Sequence, residues 1–299
     1  MNWRKWTYLA SLLFILFACQ PKTATTNTSV AAATTPPEKS KRTLTKLWET
    51  DTLLKTVESL LYDPKTDAIY TANINGHFMA KDGNGSIGKV GLDGQIIDAN
   101  WVTGMDAPTG LCLRNGLLYT TDIDKVLVID LSSRKIIKTY NLEGAKALND
   151  ITIDDAGTLY VSDTGGDQIF MVKNDKVDIL QSNIKTPNGL LVDDNRLLIA
   201  QWTPQTLNSF DLVTQRTDSI ADKIPQTDGI DLIPQKGYLV ATWGGQVHFV
   251  SLSGEKTKLL DTRSEGINAA DVIFQSSTNR VFVANFDEHR ITAYQLSTK

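Results

Sequence analysis

The sequence predicts an all-β fold, a six-bladed β-propeller with four-stranded blades, and three observations carry that prediction. A short phrase recurs along the chain: a small polar residue, an apolar run, a tight turn, and a second apolar run that closes on a polar residue. Its copies begin at Glu58, Thr109, Asn149, Asn188, Asp228 and Ala270, in steps of 51, 40, 39, 40 and 42 residues. A period of about 40 with several short strands per unit marks a propeller. No segment sustains a helical period, and the first runs of the copies are almost continuously apolar, as strands covered on both faces must be.

Each element follows from that register. In the first copy residues 58–63 and 68–73 are strands joined by a turn at Pro64-Lys65-Thr66-Asp67. The second copy turns at Arg114-Asn115-Gly116 and the third at Asp155-Ala156-Gly157, both ordinary turn chemistry. Third strands are visible at 125–131 and 247–252, and fourth strands at 135–140 and 257–260. The chain finishes after the third strand of the last copy, at 291–296, so the missing outer strand is expected at 44–49. Pairing the two ends would close the ring and leave no half-finished sheet. The long first step implies an insertion at 75–88, rich in Gly and polar residues and carrying Phe78, either a lid or a long hairpin loop.

Composition narrows the function. With 34 acidic against 30 basic residues and a net charge of −4, the chain lacks the basic footprint of a nucleic-acid binder. Its two cysteines, Cys19 and Cys112, can build neither a disulfide framework nor a thiolate metal cage. Cys112 falls in an inner strand as a buried apolar residue.

The N-terminus is a targeting segment. Arg4 and Lys5 precede an apolar run, 8–18, that is too short to span a bilayer. Leu16-Phe17-Ala18-Cys19 closes it and resembles a bacterial lipobox, which implies cleavage before Cys19 and lipidation of its thiol. Several acyl chains on one residue would anchor the protein firmly to a membrane. Gln20, rather than an acid, implies the outer membrane of the cell envelope by likeness to lipoprotein sorting rules. The expected organisation is therefore a signal peptide (1–18), a lipidated Cys and flexible Thr/Ala/Ser/Pro tether (19–42), and the propeller (43–299).

A propeller gathers the first residues of its inner strands at one mouth. Among them Glu58, Asn149, Asn188 and Asp228 offer two carboxylates and two amides. Carboxylates crowded on one axis raise one another's pKa unless a cation neutralises them. Oxygen donors without His or Cys select Ca²⁺, Mg²⁺ or Mn²⁺ over structural zinc. Asn188-Gly189 and Asp228-Gly229 are also ordinary turn dipeptides, and only their equivalent place in the repeat favours a site. Second strands run back to the same mouth, which nominates Asn73, Asp122, Asp163, Trp202, Trp243 and Asn285 for the rim, with Phe78 and Phe286 able to join the aromatics. Asp82-Gly83-Asn84 begins like a calcium loop but no Glu follows at the twelfth position, so a Gly-rich turn is expected. His77, His248 and His289 fall on different blades, and no Gly-x-Ser-x-Gly elbow occurs.

The stretches Glu58-Ser59, Leu148-Asn149-Asp150, Pro187-Asn188-Gly189-Leu190 and Thr227-Asp228-Gly229-Ile230 resemble the regucalcin/gluconolactonase family over residues 43–299. That resemblance implies one axial divalent cation, Ca²⁺ first with Mg²⁺, Mn²⁺ or Zn²⁺ as alternatives, held by Glu58, Asn188 and Asp228. It implies that Asn149 contacts the substrate or a metal-bound water, that Asp228 is the candidate general base, and that a small-molecule lactone or ester is hydrolysed. Where the family's sugar-acid enzymes carry Arg two residues before the substrate Asn, this chain has Ala147. Trp202, Trp243 and Asp163 are expected to contact substrate, and the protein to be a monomer. The alternative is a non-catalytic propeller that displays its mouth to a small ligand or an envelope partner.

Overall fold

The computed structural model describes residues 42–298. The expected signal peptide, Cys19 and nearly all of the tether lie outside them. Within them the chain forms six four-stranded sheets, every one fully antiparallel. Blade 1 is β2 (Val57–Asp63), β3 (Ala68–Asn73), β4 (Gly85–Gly91) and β5 (Ile96–Met105). Blade 2 is β6 (Pro108–Arg114), β7 (Leu117–Asp122), β8 (Lys125–Asp130) and β9 (Lys135–Asn141). Blade 3 is β10 (Leu148–Ile153), β11 (Leu159–Asp163), β12 (Gln168–Lys173) and β13 (Lys176–Ser182). Blade 4 is β14 (Pro187–Asp193), β15 (Arg196–Gln201), β16 (Thr206–Asp211) and β17 (Thr217–Ala221). Blade 5 is β18 (Thr227–Ile233), β19 (Gly237–Thr242), β20 (Gln246–Ser251) and β21 (Lys256–Asp261).

Blade 6 combines β22 (Val272–Gln275), β23 (Arg280–Asn285) and β24 (Arg290–Thr298) with β1 (Arg42–Glu49) from the other end of the chain. The closure expected from the sequence is the one observed: Leu44 pairs with Leu296 and Glu49 with Thr292. Just past the strand, Thr50 N donates to Ile291 O at 2.9 Å and Ile291 N donates to Thr50 Oγ1 at 3.0 Å. Trp48 lies over Phe282 with ring centroids 5.7 Å apart. Both ends of β24 and β1 are thereby fixed by hydrogen bonds and by apolar contact.

The inner strands β2, β6, β10, β14, β18 and β22 contact one another in that cyclic order around the axis. Apolar side chains fill the gaps between blades. Tyr70 and Ile87 of blade 1 pack with Leu118 and Ile129 of blade 2, and Leu239 and Val247 of blade 5 with Val281 and Val283 of blade 6. Inner and middle strands are covered on both faces, which explains their unbroken apolar runs. Outer strands such as Lys135–Asn141 alternate between exposed and part-buried residues because one face meets water.

Two glycines that look like turn residues have another purpose. Gly189 and Gly229 lie inside β14 and β18, not in turns. A Cβ on Gly189 would stand 2.1 Å from the carbonyl oxygen of Asp228, and one on Gly229 would stand 2.0 Å from Asp271 Oδ1. The absence of a side chain lets neighbouring inner strands approach, which brings the residues before them toward a common axis.

Candidate functional site

One cavity of about 620 Å³ opens at the mouth where the inner strands begin. Glu58, Thr109, Asn149, Asn188 and Asp228 all line it, so the opening residues of five copies, each second in its inner strand, meet there. The sixth, Ala270, lies just below, in a narrow axial gap that Glu58, Asn149, Asn188 and Asp228 also border. Glu58, Asn188 and Asp228 are buried, while Asn149 is half-buried.

Their positions are set by neighbouring blades. The backbone carbonyl of Asn149 accepts hydrogen bonds from Thr109 Oγ1 at 2.7 Å and Thr121 Oγ1 at 2.6 Å. Ser59 Oγ donates to Glu58 Oε2 at 2.6 Å. Asn188 stands beside Asp228, and its amide favours the ionised form of that carboxylate. The Oδ1 of Asn188 is buried without a hydrogen-bond partner. Such an orphan is costly unless a ligand completes it.

The rim is shifted by one residue from the sequence expectation. Asn73, Asp122, Asp163 and Asn285 end their strands fully buried and outside the cavity wall. The side chains of Asp122, Asp163 and Asn285 latch the segment that enters the same blade, whereas the Asn73 amide donates to the Ala99 carbonyl of β5 at 3.1 Å. Asp122 accepts from the backbone N–H of Ala107 at 2.7 Å, and Asp163 accepts from those of Lys146 and Ala147 at 3.1 and 2.8 Å. Asn285 Nδ2 donates to the carbonyl of Asn268 at 2.7 Å, and Gln201 plays the same part with Lys185. Asp163, expected at the substrate, therefore holds the backbone that leads into Asn149.

The residue just past five of the six second strands faces the mouth instead: Ile74, Thr164, Trp202, Trp243 and Phe286 line the cavity, and Ile123 of blade 2 does not. Successive side chains of a strand point to opposite faces, so a shift of one residue exchanges latch for rim. Trp202 and Trp243 had been set beside Asn73 and Asp163, whereas their true equivalents in blades 1 and 6 are Ile74 and Phe286. Aligning the copies one residue further would have found them. The Trp202 and Trp243 rings lie 6.1 Å apart with planes at 52°, and Trp243 meets Phe286 edge-on at 4.9 Å. Phe78, from the 74–84 loop between β3 and β4, also lines the cavity while remaining half exposed. That loop is shorter than the expected insertion, because Gly85–Gly88 already belongs to β4. Asp82 accepts from the backbone and side chain of Asn84, a local turn.

Solved structures share this fold. One is a presumed gluconolactonase, with a TM-score of 0.64, 16% identity, and coverage of 88% of this chain and 94% of that one. A streptogramin B lyase matches with a TM-score of 0.63 and 13% identity over 86% of this chain and 98% of that one. A catalytically inactive virginiamycin B lyase from Staphylococcus aureus, solved with quinupristin, matches with a TM-score of 0.61 and 13% identity, covering 87% and 100%. No protein-family profile matches the chain, and no curated protein does.

The electrostatics of the axis are one-sided. Burial pushes the Glu58 carboxyl up to about 7, against the pull of its Ser59 hydrogen bond. Burial also lifts Asp228 well above the carboxylate range, reinforced by the charges of Glu58, Asp271 and Asp150. Asp150 and Asp271, which the sequence reading did not single out, border the narrow axial gap beneath the cavity. Burial raises Asp150 to about 7 and Asp271 well above its usual range. Each is held by the next inner strand around the ring: Leu190 N donates to Asp150 Oδ2 at 2.7 Å, and Leu60 N to Asp271 Oδ2 at 2.8 Å. None of the ion pairs among the described residues involves any of these four acids.

The residues fit a hard divalent cation. Two buried carboxylates without a basic partner and one orphaned amide oxygen supply the charge and the donors such an ion prefers. Among the described residues no three His, Cys, Asp or Glu side chains group as a metal cage, so a cation here would have to draw on amide oxygens as well as carboxylates.

Proposed function

We propose that the protein is a divalent-metal-dependent hydrolase of the lactonase/esterase class, attached to the bacterial cell envelope through lipid on Cys19. The observation that carries the chemistry is the set of Glu58, Asn188 and Asp228 at the floor of an apolar cavity, with no basic partner for the acids and the Asn188 Oδ1 orphaned. These three residues would hold the cation, Ca²⁺ first. When bound, such an ion polarises a carbonyl and eases deprotonation of water. Asn149, whose backbone is fixed from blade 2, orients the substrate from the adjoining wall. Asp228 takes a proton from the attacking water. The aromatic rim keeps bulk water from the reacting carbonyl. Fold likeness to a presumed gluconolactonase is consistent with this reading and does not choose the substrate. Attachment to the envelope rests on the leader and the Leu16-Phe17-Ala18-Cys19 stretch.

The test is a turnover screen of purified protein against lactones and esters, with Ca²⁺, Mg²⁺, Mn²⁺ and Zn²⁺ added singly after chelation. Activity restored by one cation and lost in Glu58→Gln, Asn188→Ala and Asp228→Asn supports the proposal. Full activity in chelator overturns it, and tight metal binding without turnover of any compound replaces it with the binding-module reading.

A further inference from the structure

The chemistry of the cavity wall above Asn149 and Asp228 is uneven in a way that selects a substrate. Blades 4, 5 and 6 present Trp202, Trp243 and Phe286 as one connected aromatic surface, and Ile74 continues it into blade 1. Leu148 and Ala147 line the blade 3 side. Among the described residues, no Lys, Arg or His lines the cavity.

The polar groups above the floor are mostly threonines, and three of the four, Thr109, Thr164 and Thr186, have hydroxyls already in hydrogen bonds. Thr109 Oγ1 is bound to Thr121 and to the Asn149 carbonyl. Thr164 Oγ1 donates to the carbonyl of Pro187 at 2.5 Å. Thr186 Oγ1 accepts from the backbone N–H of Thr203 at 2.9 Å. A polyhydroxylated ring laid on this wall would trade water for aromatic carbon and leave most of its hydroxyls without partners, a substantial penalty. An anionic substituent on this wall would meet no basic side chain, and it would approach Glu58, Asp228, Asp150 and Asp271 from above.

We infer that the site takes uncharged lactones or esters carrying an aliphatic or aromatic substituent, laid on the Trp202–Trp243–Phe286 wall, and discriminates against sugar lactones. The inference deepens the hydrolase proposal and rests on its placing of the substrate at this mouth. The gap at Ala147 adds room for that substituent. Gly165 lies against it, with a Cβ there falling 3.0 Å from the Ala147 Cβ, so both residues keep the blade 3 wall low.

Two measurements decide it. The first compares kcat/KM for γ-butyrolactone, γ-hexalactone and γ-nonalactone with that for D-glucono-δ-lactone, in the presence of the activating cation. Each methylene that reaches the wall should raise kcat/KM about threefold to fourfold, from the free energy of burying a CH₂ group. Trp243→Ala and Trp202→Ala should each cut the ratio of nonalactone to butyrolactone about tenfold, and Trp243→Phe should restore most of it, with unchanged melting temperature as the check on folding. The second measures binding of unhydrolysed analogues, a hexyl-substituted γ-lactam and D-glucono-δ-lactam, by calorimetry on protein loaded with the same cation, or with Ca²⁺ if none activates. Preference for the alkyl lactam supports the inference even if no lactone is turned over, a result that would sink the hydrolase proposal alone. A flat alkyl series, or tighter binding of the polyhydroxylated lactam, overturns the inference and leaves the hydrolase proposal standing.

Discussion

Glu58 from blade 1 and Asp228 from blade 5 share one cavity wall, and the charge of Glu58 helps drive the pKa of Asp228 upward. Two buried acids that repel each other are a standing cost to the metal-free fold. In chelator at pH 8, Glu58→Gln or Asp228→Asn should therefore stabilise the protein by about 1–3 kcal/mol. Denaturant unfolding measures this, and the same variants should lose the rise in melting temperature that a bound cation gives the parent.

The pH dependence follows with a definite sign. Burial raises the Glu58 carboxyl to about 7 in the folded chain against its ordinary 4.5, so between those values the folded chain holds the extra proton. Metal-free stability is thus greatest below about pH 4.5 as far as this group is concerned, and is lost as pH rises through about 7, by about 3 kcal/mol. Asp150, raised to about 7, acts in the same direction. His248 opposes them at the acid end: burial lowers it to about 4, so its contribution fades as pH falls from 6.5 toward 4. Chelated protein should melt higher at pH 6.5 than at pH 8.5, and saturating cation should abolish or reverse the difference. Equal melting temperatures in chelator would count against the buried-acid account.

Asn149 and Asn188 should separate binding from turnover. Asn188→Ala removes the orphaned oxygen and should weaken cation binding at least tenfold, read by calorimetry. Asn149→Ala should leave the thermal shift on adding cation nearly intact while lowering kcat/KM about tenfold to a hundredfold. Loss of cation binding in both variants would place Asn149 among the ligands instead.

Gly189→Ala places a methyl 2.1 Å from the Asp228 carbonyl oxygen, a backbone atom that cannot turn aside. Overpacking of this kind costs about 1–3 kcal/mol or more. The variant should unfold at lower denaturant and bind the cation less well, since the displaced strand carries Asp228. Alanine at Gly116, where a Cβ meets nothing within 4 Å, suffers only from its positive φ of 80° and should leave cation binding untouched.

Most of the architecture was legible because each copy repeats the same run of Val, Ile, Leu and Tyr between turn residues, and neighbouring blades cover both faces of those runs. The meeting of Glu58, Asn149, Asn188 and Asp228 was legible for the same reason: equivalent positions in a ring share an axis. The rim was misplaced because Asn73 and Asp163 end their strands one residue before the turn toward the mouth, and polarity alone does not separate a latch from a contact. Gly189 and Gly229 resembled turn residues because a one-dimensional pattern carries no trace of a neighbouring strand about forty residues away. Asp150 and Asp271 were missed because each follows a position already assigned, Asn149 and Ala270.

Arg42–Glu49 is among the first parts of the domain to be synthesised, and its partner Arg290–Thr298 is the last. During synthesis the opening strand must wait with a bare edge while almost the whole domain is made. Until then the five complete blades have no sixth sheet to seal the circle, and the acids of the axis have no enclosed centre to share. Loss of even a few C-terminal residues would leave both ends as templates for pairing with another molecule. A premature stop in the final strand should therefore yield clumped material rather than a weaker monomer.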